Sequence, residues 1–91
     1  MTSFQDTDRP KARAGIAERI VDGEALLVNA EGGEIVVLNE SASRIWQMLD
    51  GENDVAALVQ STCEEYEVTP EQARADVTDF LTELRARGAI D

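Results

Sequence analysis

The spacing of apolar residues changes once along this chain, at Asn39. Before it, short apolar stretches at residues 16–21, 25–29 and 34–38 read as strands, the last with three β-branched residues. After it, apolar residues recur every three to four positions, the period of a helix. A chain that switches period once places its strands first and its helices after. With 91 residues there is one small domain to build. The expected fold is therefore α+β: a three-stranded antiparallel sheet followed by three helices.

The punctuation agrees. Asp22-Gly23 is a two-residue hairpin signal, because both central positions need positive φ. Ala30-Glu31-Gly32-Gly33 supplies a second turn, so short connections give an antiparallel meander. In the first helix Ala42, Ile45, Trp46 and Leu49 share a face; Asn39 or Ser41 can cap its start, and Gly51 can end it. Asp54 can cap a second helix with Val55, Leu58, Val59, Thr62 and Tyr66 on one face. Thr69-Pro70-Glu71-Gln72 is a capping box with proline at the first helical position. The third helix buries Ala73, Val77, Phe80, Leu81 and Leu84, and Gly88 closes it.

Residues 1–15 hold almost nothing that could be buried and read as a flexible tail, leaving residues 16–91 as the domain. The tail has no apolar run, so it is neither a signal peptide nor an anchor, and a reducing cytoplasm suits the single Cys63. Cys63 has no basic neighbour in sequence and reads as structural, as does Trp46 in the core.

Charge and missing residue types exclude whole classes of function. There is no His, which removes His-ligated metal sites and Ser-His-Asp or Cys-His nucleophiles. Glu64, Glu65 and Glu67 lack the spacing and glycine of a calcium loop. No metal, cofactor or catalytic set is expected, so the chain is not read as an enzyme. The net charge is −11. The tail carries three basic residues (Arg9, Lys11, Arg13) against two acidic ones (Asp6, Asp8), so residues 16–91 hold −12. Nucleic acid is a poor partner for such a domain, and no uninterrupted apolar stretch, Ile35 to Leu38 included, is long enough to span a membrane.

The strand at residues 34–38 is the apolar exception. Ile35 and Val37 point one way, and Val36 and Leu38 the other. Helices cover one face; the other needs the tail, a second subunit or a bound peptide. A peptide adding as a fourth strand would use the free backbone groups of residues 34–38 and lie beside the third helix. A strand covered by the tail or a helix, with nothing bound, reads the same way. Two such edges can also pair with each other, giving a homodimer.

Gly23-Glu24-Ala25-Leu26-Leu27-Val28, Gly33-Glu34-Ile35-Val36-Val37-Leu38-Asn39-Glu40-Ser41-Ala42, Ile45-Trp46 and Leu49-Asp50-Gly51 together resemble the PqqD family. The likeness continues through Ala75-Asp76-Val77, Phe80-Leu81, Leu84 and Arg87-Gly88. The resemblance implies a winged-helix-like fold, the RiPP recognition element. It also implies a function: binding the leader of a ribosomally made precursor peptide and presenting it to a radical-SAM protein, a cyclase or a leader protease. The segment Leu26-Leu27-Val28-Asn29-Ala30-Glu31-Gly32 departs from the Leu-Leu-Tyr-Pro-Glu-Gly of the branch serving pyrroloquinoline quinone synthesis. Stand-alone recognition proteins of lasso-peptide pathways are at least as similar.

On that resemblance the leader pairs antiparallel with Glu34, Ile35, Val36, Val37 and Leu38, and Val36→Pro should weaken it by removing a ladder donor. Ala73, Val77, Phe80 and Leu81 form the cleft wall, with the small Ala73 and Val77 leaving room for a guest residue. Arg74 and Asp76 flank that wall and pair with leader charges. The competing classes are a general protein–protein adaptor and a DNA-binding regulator of winged-helix fold. Four acids against three arginines on the third helix argue against the regulator.

Overall fold

The computed structural model describes residues 4–29 and 35–90. The expected turn at residues 30–33 and the strand residue Glu34 lie outside them. The element order is β1 (Ile16–Val21), β2 (Glu24–Asn29), β3 (Ile35–Leu38), α1 (Glu40–Gln47), α2 (Val55–Tyr66) and α3 (Pro70–Ala86). The three strands form one antiparallel sheet in the order β1-β2-β3, as the change of period requires.

Local chemistry fixes the boundaries. Asp22 and Gly23 both have positive φ, 52° and 82°, so the hairpin turn has the twist of its strands. The side chain of Asn39 accepts from Ala42 N at 2.9 Å and caps α1. Asp54 does the same for α2 through Ala57 N at 2.8 Å, and Thr69 for α3 through Gln72 N at 3.1 Å. Helix α1 stops at a Met48 cap rather than at Gly51, whose positive φ serves the following loop. Gly88 takes φ 75° just after α3, as expected.

The core lies between the sheet and the helices. Ala25, Leu27 and Leu38 face inward from the strands onto Ile45, Trp46, Leu58, Val77, Leu81 and Leu84. Trp46 also reaches back to the sheet, its indole N–H donating to Glu18 Oε2 at 2.6 Å. No described helix is long and apolar enough to cross a membrane.

The flexible-tail expectation needs correction for residues 4–13. Phe4 is buried in the core, with the Arg85 guanidinium 4.1 Å from its ring centre. The carbonyls of Asp8 and Asp6 accept from Val55 N and Ala56 N, satisfying donors that the start of α2 leaves open. Ala12 N donates to Leu49 O, and Arg13 N to Ala89 O. Asp6 also pairs with Arg74. The segment straps the start of α2 to the ends of α1 and α3.

Candidate functional site

The alternation of the sheet decides which backbone groups of β3 are free. A two-residue hairpin joins Val21 and Glu24 as a hydrogen-bonded pair. Counting along β2, the amides of Ala25 and Leu27 then turn toward β3. Leu27 faces Val36 and Ala25 faces Leu38 in the register, so the backbone of Val36 is used inside the sheet. Ile35 and Val37 aim their N–H and C=O groups outward, at the free edge. The expected role of Val36 as the exposed ladder donor is therefore corrected: that role falls to its two neighbours.

Side chains follow the same parity. Ile35 and Val37 are 63% and 62% exposed, on the sheet face away from the helices, beside exposed Val28. Val36 is half-buried on the helix side. There it lines a hollow of about 240 Å³ with Asn39, Phe80, Glu83, Leu84 and Arg87. A wider hollow of about 640 Å³ continues from it between α1 and α3, sharing Asn39, Ala42, Phe80 and Glu83. Together they make one cleft running along β3 and over the start of α1.

Several expected cleft residues lie elsewhere. Leu38, though nearly buried, still borders the narrower hollow, but Ala73, Val77 and Leu81 are completely buried, so their side chains belong to the core. They cannot form the wall, because α3 turns that stripe onto α2. Room beside the small Ala73 and Val77 is filled by the protein itself. The wall is the next stripe round the helix: Asp76, Phe80, Glu83 and Arg87. Of the residues expected on α3, Phe80 and Asp76 are those that line the cleft, together with Val36, Val37 and Leu38 of β3. Arg74 is turned away toward Asp6. The sequence marks Asn39 as a cap and Ala42 as a core position, and it does not point to Asn39, Ala42, Glu83 or Arg87 as cleft residues; the signal for the last two is the charged stripe flanking Phe80 at helical spacing.

The chemistry of the cleft is that of a binding surface. Its floor is apolar, from Val36, Ala42 and Phe80. Its rim is charged: Arg87 Nε donates to Glu83 Oε1 at 3.2 Å, and Gln72 Nε2 to Asp76 Oδ1 at 2.9 Å. Tyr66 lies at the far end, its phenol pushed above the ordinary value by partial desolvation, against the opposing pull of Arg44. Among the described residues no cluster of carboxylates and cysteine could hold a metal ion.

A sequence profile described as "Coenzyme PQQ synthesis protein D (PqqD)" matches residues 24–90. Two solved structures share the fold. One is TbiB1 in complex with the TbiA(beta) leader peptide, with TM-score 0.83 and 26% identity, covering 89% of this chain and 94% of that one. The other is lasso peptide synthetase B1 complexed with the leader peptide, with TM-score 0.83 and 28% identity, covering 91% of this chain and 98% of that one. No curated protein matches the chain significantly.

Proposed function

The chain belongs to the PqqD family, and from that premise we propose that it is a non-catalytic recognition element. It binds the leader of a ribosomally made precursor peptide and presents it to a modifying enzyme or leader protease in the cytoplasm. The observation that carries this reading is the edge of β3. Ile35 and Val37 hold outward-facing backbone groups beside a cleft with an apolar floor. An extended peptide can pair with that edge as a fourth strand, with alternate side chains beside Val36 and Phe80. Each backbone bond is worth about 1 kcal/mol net, so affinity needs the cleft as well as the edge. The two solved relatives are both leader-peptide complexes, which favours a lasso precursor as the source of the peptide.

The test is a titration of the ¹⁵N-labelled protein with a synthetic leader from a short precursor encoded beside its gene. Amide shifts should concentrate at Ile35, Val37, Phe80 and Glu83. Unchanged signals at those four positions under saturating peptide overturn the reading and leave a general adaptor. Pairing of two β3 edges would give a homodimer, which the leader should dissolve.

A further inference from the structure

The wider arm of the cleft has a composition that strand addition does not explain. Its floor is apolar, with Ala42, Val68 and Phe80. Its rim is acidic: Asp76 and Asp79 on α3 face Glu40 at the start of α1. Glu83, at the junction with the narrower arm, already holds Arg87, and Asp76 accepts from Gln72. Asp79 and Glu40 have no cationic partner among the described residues. Like charges at helical spacing cost a helix a few tenths of a kcal/mol per pair, and among the described residues no cation on α3 pairs with Asp76 or Asp79.

We propose that this arm is a subsite for a lysine or arginine side chain of the bound peptide. The inference rests on the reading that the cleft takes a peptide, and it adds a charge requirement to it. An apolar floor under an acidic rim matches a side chain with a long hydrocarbon stem and a cationic head. The stem lies on Ala42 and Phe80, and the head reaches Asp79 and Glu40. Tyr66 and Phe80 put two aromatic rings in the lining of the same arm, a setting that favours a guanidinium. The carboxylates are too dispersed to close on a metal ion. An all-apolar guest would leave Asp79 and Glu40 without a cation. The subsite is continuous with the strand edge through Asn39, where β3 ends. A strand added antiparallel to β3 passes its N-terminal end over Asn39. The cationic residue therefore precedes the strand-forming stretch of the peptide.

The test uses small probes that cannot add a strand. N-acetyl-arginine methylamide, N-acetyl-lysine methylamide and the uncharged N-acetyl-norleucine methylamide are titrated into the ¹⁵N-labelled protein at low ionic strength. The cationic probes should shift the amides of Ala42, Val68, Asp79 and Phe80, and norleucine should not. The double variant Glu40→Gln, Asp79→Asn should weaken the arginine response about five- to tenfold. Equal shifts with norleucine, or shifts spread evenly over the acidic surface, overturn the proposal. Val37→Pro separates the two readings. It removes a strand-edge donor, so leader binding should fall while the arginine shifts persist. If the arginine shifts fail while the leader still binds at Ile35 and Val37, only the cationic subsite is lost.

Discussion

Ser43 Oγ accepts a hydrogen bond from Ala25 N at 2.8 Å, joining α1 to the middle strand of the sheet. The same hydroxyl lies 2.8 Å from Asn39 O and 3.2 Å from Leu38 O, as their donor. One buried side chain therefore ties β2, the end of β3 and the first turn of α1 together. It anchors the end of β3, and so the strand edge beside the cleft, to the helix. Ser43→Ala strands the Ala25 N–H in an apolar setting. The expected cost is about 1–3 kcal/mol in urea unfolding, with faster amide exchange at Ala25.

Ser43 also marks a limit of what the sequence displays. The Asp22-Gly23 turn and the caps at Asn39, Asp54 and Thr69 were legible because each depends on neighbours within a few positions. The fold class followed from them and from the change of period. Ser43 depends on a partner 18 residues away, and serines on helices are common. The strap was hidden for a related reason. Asp6 and Asp8 dock on α2 through their carbonyls, which every residue has, and the Asp6–Arg74 pair joins positions far apart in the chain, so only Phe4 could have signalled docking. On α3, periodicity found the apolar stripe but not which stripe the sheet leaves uncovered. That choice depends on how α2 and α3 pack: of the expected wall, Phe80 stays at the cleft, while Ala73, Val77 and Leu81 turn into the core and Glu83 and Arg87 take their place.

Phe4→Ala tests the strap. Phe4 is 7% exposed and sits under Arg85, so its removal takes away apolar burial and a cation–aromatic contact. The segment is near a terminus and can relax, so the expected cost is about 2 kcal/mol, below a central phenylalanine. Arg74→Ala, which breaks only an exposed pair with Asp6, should cost under about 1 kcal/mol. Thermal melts of the two variants should differ accordingly. Equal melting temperatures would mean that the strap adds nothing to the core.

Asp50 gives a pH signature. Its carboxylate accepts from Glu52 N at 2.9 Å and Asn53 N at 3.0 Å, which holds its pKa below the ordinary 3.8. A carboxyl with a lower pKa folded than unfolded stabilises the fold above the unfolded value. That contribution is lost as pH falls through the lowered folded value. Asp50→Ala should therefore melt lower than the parent at neutral pH. The gap should narrow on acidification through the range below 3.8. A gap that stays constant down to pH ~2 would contradict this assignment.

Leu81 and Phe80 are adjacent in sequence and serve different ends. Leu81 is completely buried, so Leu81→Ala should cost about 2–5 kcal/mol of stability. Phe80 is half-buried and borders both arms of the cleft. Phe80→Ala should cost less stability and weaken leader binding at least tenfold, a loss of about 1.4 kcal/mol. Calorimetric titration at a temperature where both variants are folded separates the effects. Tight leader binding by Phe80→Ala would move the peptide out of the cleft.

The final prediction turns on the parity of β3. Val36 pairs with Leu27 inside the sheet, and Val37 presents its N–H to the free edge. Proline at Val36 deletes a donor of the β2–β3 ladder and should destabilise the sheet. Proline at Val37 deletes a donor that the folded protein does not use, and edge positions of this kind tolerate proline. Val37→Pro should thus fold close to normally, with leader affinity reduced about tenfold or more, since one ladder bond and the fit of the added strand are both lost. Val36→Pro should show the opposite order, with stability falling first and binding falling as a consequence. If Val37→Pro binds the leader as tightly as the parent, the peptide does not add to β3. The cleft side chains alone would then have to hold it.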